Sequence, residues 1–240
     1  MVNIPSTQWS YDQKAIVCTI KCEKNHNNIA VEYFLPQGPF AMLPMKKKHM
    51  NIIWSEKTKL ANQYLATEEK EFLLHLKERF GTWLGDISLV PNTTFSYPLS
   101  FHHAQKYHTH RVVLIGDSAH SIHPIAGQGL NMGIRDIAAL YDVLKSSLEF
   151  KINIGNIENL KNYEEIRYTD NTILSLTCDG LNRLFSNKNP ILKTSRRFGI
   201  KVIEKIPSLK KIFLSHAMGT FGIHIPELLK DIPIDNNYKK

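Results

Sequence analysis

Cysteine is scarce in this 240-residue sequence, which contains three: Cys18, Cys22 and Cys178. An odd and sparse set argues against a disulfide framework and indicates a reducing compartment. Cys18 and Cys22 lie four residues apart in a predicted strand, so they share one face of it. No second pair of Cys or His follows at zinc-finger spacing, and we therefore predict neither a disulfide scaffold nor a metal site.

Long apolar runs are also absent. No stretch reaches the roughly 18 apolar residues of a membrane-spanning helix. The first residues, M-V-N-I-P-S-T-Q-W, lack the charged region and apolar run of a secretory signal. We therefore expect a cytoplasmic chain that does not cross a bilayer.

Acidic residues are outnumbered, with 22 Asp and Glu against 30 Lys and Arg, for a formal charge of +8. This balance favours anionic partners such as phosphates, nucleic acid or lipid headgroups, although ordinary solvated lysines explain it equally well. The apolar fraction of 42% is sufficient for a buried core.

The first hundred residues read as an antiparallel sheet with one helix. β-branched and apolar residues predict four strands and a later edge strand, at 13–22, 29–35, 40–45, 51–55 and 95–101. Thr67 followed by two glutamates predicts a helix start, and Gly81 predicts its end.

The run R-V-V-L-I-G-D-S-A-H-S-I-H-P-I-A-G-Q-G-L-N-M-G-I-R-D, residues 111–136, is the most informative segment. A buried apolar strand at 111–115 would place Asp117 at the carboxyl edge of a sheet, where α/β folds bind ligands. The three glycines that follow allow close backbone approach to the unpaired amides of a helix start, which favour an anionic or electron-rich ligand. We prefer this interpretation to a plain strand-to-helix connection.

Helical periodicity continues to the end of the chain. An amphipathic helix is predicted from the spacing of Ile134, Ile137, Ala138, Tyr141, Leu144 and Leu148. Residues after 156 also favour helix, with predicted breaks at Pro190, Pro207 and Pro226.

The motif G-D-S-A-H-S-I-H-P-I-A-G-Q-G-L-N-M-G-I-R-D resembles the second FAD-binding motif of flavin-dependent aromatic-ring monooxygenases, and H-P-I-A-G-Q-G-L-N points to the ubiquinone-biosynthesis hydroxylases. Other segments fit, namely W-S-Y-D-Q-K-A-I-V, F-L-P-Q-G-P-F-A-M-L-P-M, R-F-G-T-W-L-G, S-Y-P-L and Y-E-E-I-R. The resemblance extends from about residue 9 to about residue 219.

The resemblance implies an α/β (α+β) fold of the para-hydroxybenzoate hydroxylase type. It divides the chain into an antiparallel substrate-domain sheet with a helix (1–104), the second FAD-binding motif (105–150) and a helical C-terminal region (151–240). The FAD-binding motif would be part of a Rossmann-like domain.

The resemblance also assigns cofactor-binding residues. Gly116 and Asp117 would hold the ribityl or pyrophosphate region of FAD, and residues 124–131, the glycine loop, would lie along its ring system. Within that loop the implied contacts are Pro124, Gly127, Gln128, Gly129, Leu130 and Asn131, the last three nearest the pyrimidine edge. Flavin reduced by NAD(P)H performs the oxygen chemistry, so no catalytic side chain is assigned.

The sequence lacks the G-x-G-x-x-G turn with which such enzymes hold the ADP half of FAD. The chain therefore resembles the C-terminal part of a hydroxylase acting on a polyprenylated phenol. Three explanations stay open: a split gene whose partner chain supplies the missing half, a decayed remnant, or a non-catalytic scaffold of the quinone pathway.

Histidines near the motif favour structural explanations. Four histidines lie just before the motif in the sequence, and we expect their side chains to be exposed and solvated rather than to form a metal site. They are His102, His103, His108 and His110. For His120 and His123 we favour structural hydrogen bonding over a general-base role. Arg135 and Asp136 fit the family pattern and are equally explained by a local ion pair.

Basic residues alternate with apolar ones over residues 188–211. This pattern predicts either peripheral contact with the inner face of a membrane, where a polyprenylated substrate resides, or a solvated face of a helical domain. Aromatic residues are not interleaved with the charges, so we do not expect nucleic-acid binding.

Overall fold

The computed structural model describes residues 3–185 and residue 226. The chain forms two compact units, and each is described separately below. The sheet unit contains Ser10–Ser100, and the motif unit contains Phe101–Gly180 together with the first nine residues. The three-part division at 104 and 150 stays a prediction.

A seven-stranded sheet has the order β2-β3-β4-β1-β6-β9, in which β9 is His120–Ser121, and β5 pairs with β1. The register places Cys18 of β1 opposite Ile52 of β4, which in turn lies opposite Met42 of β3. An antiparallel meander of consecutive strands is therefore confirmed for β2, β3 and β4, but the first predicted strand lies beside β4 rather than beside β2. The strands are β1 (Ser6–Cys22), β2 (Val31–Leu35), β3 (Gly38–Pro44), β4 (His49–Lys57), β5 (Ile87–Leu89) and β6 (Phe95–Ala104).

The core of the sheet unit lies between the alternating apolar side chains of β1, β3 and β4 and the helices that follow β4. Cys18 and Cys22 are both buried on this face, as their spacing predicted. Burial raises the pKa of the Cys18 thiol to about 12. This thiol is therefore an apolar packing group rather than a reactive one.

Two helices cover this core: α1 (Thr58–Leu65) and α2 (Glu69–Phe80). The predicted helix end at Gly81 is confirmed, since the Gly81 amide donates a hydrogen bond to the carbonyl of Lys77. The predicted N-cap is wrong by one residue, because the Thr67 hydroxyl donates to the carbonyl of Tyr64 and Glu68 takes the cap position. No sequence signal separates α1 from the end of β4, which it follows directly.

The motif unit begins with strands much shorter than the sequence suggested. Of the strand predicted at 111–115, two half-buried residues form β8 (Val112–Val113), paired antiparallel with β7 (His108–Thr109). Arg111 adopts a left-handed φ of 56° at the turn between them, and the Leu114 amide donates to the carbonyl of Tyr107. The expected fully buried strand is therefore wrong in the described part of the chain.

Two long helices follow β9 (His120–Ser121): α3 (Gly129–Glu149) and α4 (Ile157–Phe185). The helix α3 confirms the predicted amphipathic helix, and α4 confirms the helical region predicted after residue 156 as far as residue 185. Of the residues whose spacing predicted α3, Ala138 is buried and Leu144 half-buried, whereas Ile134, Ile137, Tyr141 and Leu148 are exposed. Together with Leu130, these four exposed residues form the apolar stripe of α3. The buried face instead carries Met132, Arg135, Asp136, Ala138, Ala139, Val143 and Ser147.

The predicted breaks at Pro190 and Pro207 and the basic segment 188–211 lie outside the described residues. Pro226, which is described, is buried and belongs to neither a helix nor a strand. Within the described residues, no helix has both the length and the apolarity needed to cross a bilayer.

Candidate cofactor site

The GD turn, a single 3-10 turn over Gly116–Ser118, follows β8. Gly116 has a φ of 56°, which a residue without Cβ adopts at little cost. The Ser118 hydroxyl fixes the turn because it donates to the carbonyl of Ile115 at 2.7 Å and accepts from its amide at 3.2 Å. Asp117 is left exposed at the tip, where its carboxylate can accept hydrogen bonds from a ligand.

The glycine loop begins with a second 3-10 turn, Pro124–Ala126. It continues through Gly127 and Gln128 into the first residues of α3. Gly127 has a φ of 60°, and its amide donates to the carbonyl of Pro124. A Cβ built on Gly127 or Gly129 would meet no atom within 4 Å. Open space therefore lies beside the main chain of the loop.

The first turn of α3 is uncapped by side chains, since its N-cap residue Gln128 makes no capping hydrogen bond. The amides of Gly129, Leu130 and Asn131 begin the helix, and the side chain of Leu130 is 76% exposed. Helix-start amides carry a partial positive charge that stabilises an anionic or electron-rich group.

The GD turn packs directly on the second turn of α3. A Cβ on Gly133 would lie 3.6 Å from Cα of Gly116, so two glycines face each other across this contact. The predicted residues Gly116 and Asp117 are thereby brought beside the helix whose first residues are Gly129, Leu130 and Asn131. Sequence reasoning placed these residues in one motif but gave no reason for the close approach.

Beneath this surface, Asp136 of α3 accepts four hydrogen bonds while its side chain is fully buried. Its Oδ2 lies 3.0 Å from the amide of Gly116 and 2.7 Å from His120 Nε2. Its Oδ1 accepts from Arg167 Nε at 2.9 Å and Asn171 Nδ2 at 3.0 Å. Burial alone would raise the pKa of Asp136, but His120 and Arg167 hold that pKa below its usual range.

The predicted local ion pair between Arg135 and Asp136 is wrong. Arg135 Nη1 instead lies 3.5 Å from Asp170 of α4, and Asp136 pairs with Arg167 of the same helix. Adjacent residues on a helix point about 100° apart, so each of the two reaches a different partner. Sequence reasoning missed Arg167 and Asn171 as partners, although Arg167 closes the quoted segment Y-E-E-I-R.

The predicted exposure of the four histidines is wrong at three positions. His102 lies in β6 and is only half-exposed. His103 is buried, with Nε2 3.2 Å from the Tyr107 hydroxyl, and burial lowers its pKa. His108 Nδ1 lies 2.8 Å from Glu164 of α4. His110 is exposed, as expected. No group of three or more His, Cys, Asp or Glu side chains in the described residues has metal-binding geometry.

Structural hydrogen bonding of His120 agrees with the observed contact to Asp136. His123 is completely buried, and burial lowers its pKa to about 4, partly offset by Asp179. His123 is therefore neutral at neutral pH, as a packed ring requires.

These residues fit a flavin cofactor in three respects. Asp117 offers an exposed carboxylate to sugar-alcohol hydroxyls. The loop at Gly127 and Gly129 leaves room for a flat ring against the main chain, and the first turn of α3 carries no side-chain cap on its amides. A flat ring placed beside Gly127 and Gly129 requires no movement of a side chain, because the space beside both glycines is open. The assignment of individual cofactor-binding residues stays a prediction.

Comparison with known proteins agrees with this geometry. Residues 2–168 match a family model described as FAD binding domain. A curated relative, the ubiquinone hydroxylase UbiL of Rhodospirillum rubrum, is 40% identical over 226 residues, covering 93% of this chain and 52% of its own length. The 3-demethoxyubiquinol 3-hydroxylase of Escherichia coli is 31% identical over 223 residues, covering 91% and 56%.

Among solved structures, the Diels-Alderase PyrE3 of pyrroindomycin biosynthesis matches with a TM-score of 0.70 at 18% identity, over 93% of this chain and 47% of that chain. At that identity the likeness concerns the fold alone. The predicted α/β fold class is confirmed.

The chain therefore belongs to the FAD-dependent monooxygenase family that shares this FAD binding domain. This confirms the resemblance to ubiquinone-biosynthesis hydroxylases and the cofactor of the family, FAD, for which NAD(P)H is the typical electron donor. The chain spans about half the length of the curated relatives it matches.

Proposed function

We propose that this chain forms the flavin-ring half of a monooxygenase that hydroxylates the aromatic ring of a polyprenylated ubiquinone precursor. In the overall reaction a ring C–H bond becomes C–OH, one oxygen atom of O₂ is inserted, and NAD(P)H with a proton reduces the other atom to water. The observation that carries the proposal is that the GD turn, with its exposed Asp117, packs on Gly133 of α3, the helix that begins at the open glycine loop.

Bound flavin supplies the redox and oxygen chemistry. The residues of this chain bind and orient it. Asp117 accepts hydrogen bonds from the sugar-alcohol chain. The amides of Gly129, Leu130 and Asn131 stabilise negative charge at the pyrimidine edge of the ring, because a helix start presents unpaired donors there.

Completion of the site requires another polypeptide segment, because this sequence carries no G-x-G-x-x-G for the ADP half. We propose that a segment with a dinucleotide-binding unit, on this or a separate chain, covers the apolar stripe of α3. Five large apolar side chains on one helix face support this, since exposed patches of that kind mark interfaces.

The substrate class rests on the printed activities of the relatives, one a ubiquinone hydroxylase and one a 3-demethoxyubiquinol 3-hydroxylase. A polyprenyl tail partitions into a bilayer, so we propose peripheral membrane contact through the basic segment 188–211. The net charge of +8 favours an anionic surface.

The test is an oxygen-dependent hydroxylation assay. The full chain is combined with a polypeptide that supplies the dinucleotide unit, FAD, NAD(P)H and a short-chain prenylated phenol, and products are identified by mass spectrometry with ¹⁸O₂. We expect one labelled oxygen atom per product, and its loss in Asp117→Ala but not in the exposed control Asp86→Ala. A wild-type protein that binds the precursor phenol but never labels it would support the scaffold alternative instead.

A further inference from the structure

One side chain outside the GD turn holds its main chain. The carboxylate of Asp136, on the second turn of α3, accepts the Gly116 amide at 3.0 Å. The same oxygen lies 2.7 Å from His120 Nε2, in the strand that leaves the turn. Both ends of the segment 116–120, which contains Asp117, are therefore attached to a single atom.

The carboxylate itself is immobilised from the opposite side. Its other oxygen accepts from Arg167 Nε and Asn171 Nδ2, both on α4, at 2.9 and 3.0 Å. Asp136, Arg167 and Asn171 are each 1% exposed or less. A carboxylate with four donors in a buried setting cannot rotate without leaving a donor unpaired, which is costly.

We propose that Asp136 is a positioning residue for the cofactor site: it sets the conformation of the GD turn and so the direction of Asp117, while Arg167 and Asn171 lock it in place. The inference rests on the proposed function in one respect, namely that Asp117 is a cofactor-binding residue. The attachment of Gly116 to Asp136 is independent of any ligand.

A purely structural role makes a different prediction from a positioning role, and the chain offers a matched control. Asp170 belongs to the same buried network, accepting from Arg167 Nη1 at 2.8 Å and lying 3.5 Å from Arg135. It makes no described hydrogen bond to Gly116 or His120. Asp136→Asn and Asp170→Asn therefore make the same chemical change, but only the first loosens the GD turn.

The first arm of the test measures hydrogen exchange of the Gly116 amide in the full chain by NMR, without flavin. Asp136→Asn should accelerate this exchange about tenfold or more, and Asp170→Asn should change it less than about twofold. If Asp136→Asn does not fold, Asn171→Ala replaces it, since it removes one of the four donors and should move exchange in the same direction. Equal exchange in the Asp136 and Asp170 variants would overturn the proposal.

The second arm titrates FAD into the wild-type chain and both variants, each with the polypeptide that completes the site. We expect the dissociation constant to rise about tenfold in Asp136→Asn and to stay within about twofold in Asp170→Asn. Faster exchange without weaker binding would overturn the role in cofactor positioning. If the wild-type protein itself binds no FAD, the proposed function fails, and the exchange arm alone decides whether Asp136 controls the turn.

Discussion

Arg167 Nε lies 2.9 Å from Asp136 Oδ1, and both side chains are almost completely removed from solvent. The pair joins α3 to α4 directly beneath the turn that carries Asp117. Arg167 also donates to Asp170 and Asn171, so each of its three guanidinium nitrogens makes a hydrogen bond. This buried charge network connects the two helices in addition to an apolar cluster that contains Ala139 and Val143 of α3 and Tyr163 of α4.

Removing the cation from this network should destabilise the chain strongly. Arg167→Met leaves the buried carboxylate of Asp136 without its counter-ion, and we expect a loss of about 3–5 kcal/mol in the free energy of unfolding. Urea denaturation followed by circular dichroism measures it. Lys161→Met on the same helix is the control, because the Lys161–Glu165 pair is exposed and such pairs contribute little. A loss below about 1 kcal/mol in Arg167→Met would contradict the account.

A second buried pair stabilises the sheet unit. Arg79 of α2 donates to the fully buried Glu56 of β4 at 2.9 Å and lies 4.9 Å from the centre of the Trp54 ring. We expect Arg79→Ala to cost about 3 kcal/mol, because it leaves an unpaired buried carboxylate. Arg79→Lys keeps the charge and should cost clearly less, although it loses the planar stack. Thermal unfolding of the two variants compares them, and equal losses would show that charge is not the main contribution.

Stability should fall in acid through His123. Its folded-state pKa is about 4, below the ordinary value near 6.5, so the unfolded chain binds a proton that the folded chain excludes. The contribution is complete above pH 6.5 and declines as pH falls toward 4, by about 3 kcal/mol in total. Asp136, whose pKa is below the usual range of a carboxyl, acts at lower pH than this window.

Urea unfolding at several pH values between 7.5 and 4 measures this decline. His123→Gln should flatten it, while His110→Gln, at an exposed position of the motif unit, should leave it unchanged. A wild-type stability that is constant over that range would contradict the buried neutral ring.

The exposed apolar stripe of α3 should promote self-association of the chain. Ile134→Lys together with Ile137→Lys should reduce binding of a hydrophobic dye and lower concentration-dependent association, with little change in thermal stability, because both side chains are already exposed. Light scattering and dye fluorescence measure this. Leu74→Lys, at an isolated exposed position of α2, is the control and should have a much smaller effect. Substantial unfolding of the double variant would show that the stripe packs against this chain itself.

The sheet unit was largely predictable, because five of its six strands follow from local alternation and from Pro and Gly at the turns. The three-residue strand β5 (Ile87–Leu89) was not predicted, since so short a segment carries too little alternation to be recognised. The motif unit was less predictable from the sequence. Residues 111–115 look like a buried central strand, yet two of them pair in a small two-stranded sheet, since pairing depends on neighbours that local sequence does not reveal.

The buried face of α3 was mispredicted for a related reason. Hydrophobic periodicity selected Ile134, Ile137 and Tyr141, whereas the helix buries Arg135 and Asp136 against charged partners on α4. Polar residues become buried when distant partners satisfy them, and periodicity carries no information on such partners. The glycine loop and Asp117 were identifiable because their residue types and spacing are themselves the signal.

The most direct measurement is a flavin titration followed by visible absorption. The full chain, with a polypeptide that supplies the dinucleotide unit, is titrated with FAD alongside Asp117→Ala and the exposed control Asp86→Ala. The account predicts a shifted flavin spectrum that saturates for the wild type and the control and is lost or weakened about tenfold or more in Asp117→Ala. Equal binding by all three proteins would contradict the assignment of the cofactor site to the GD turn.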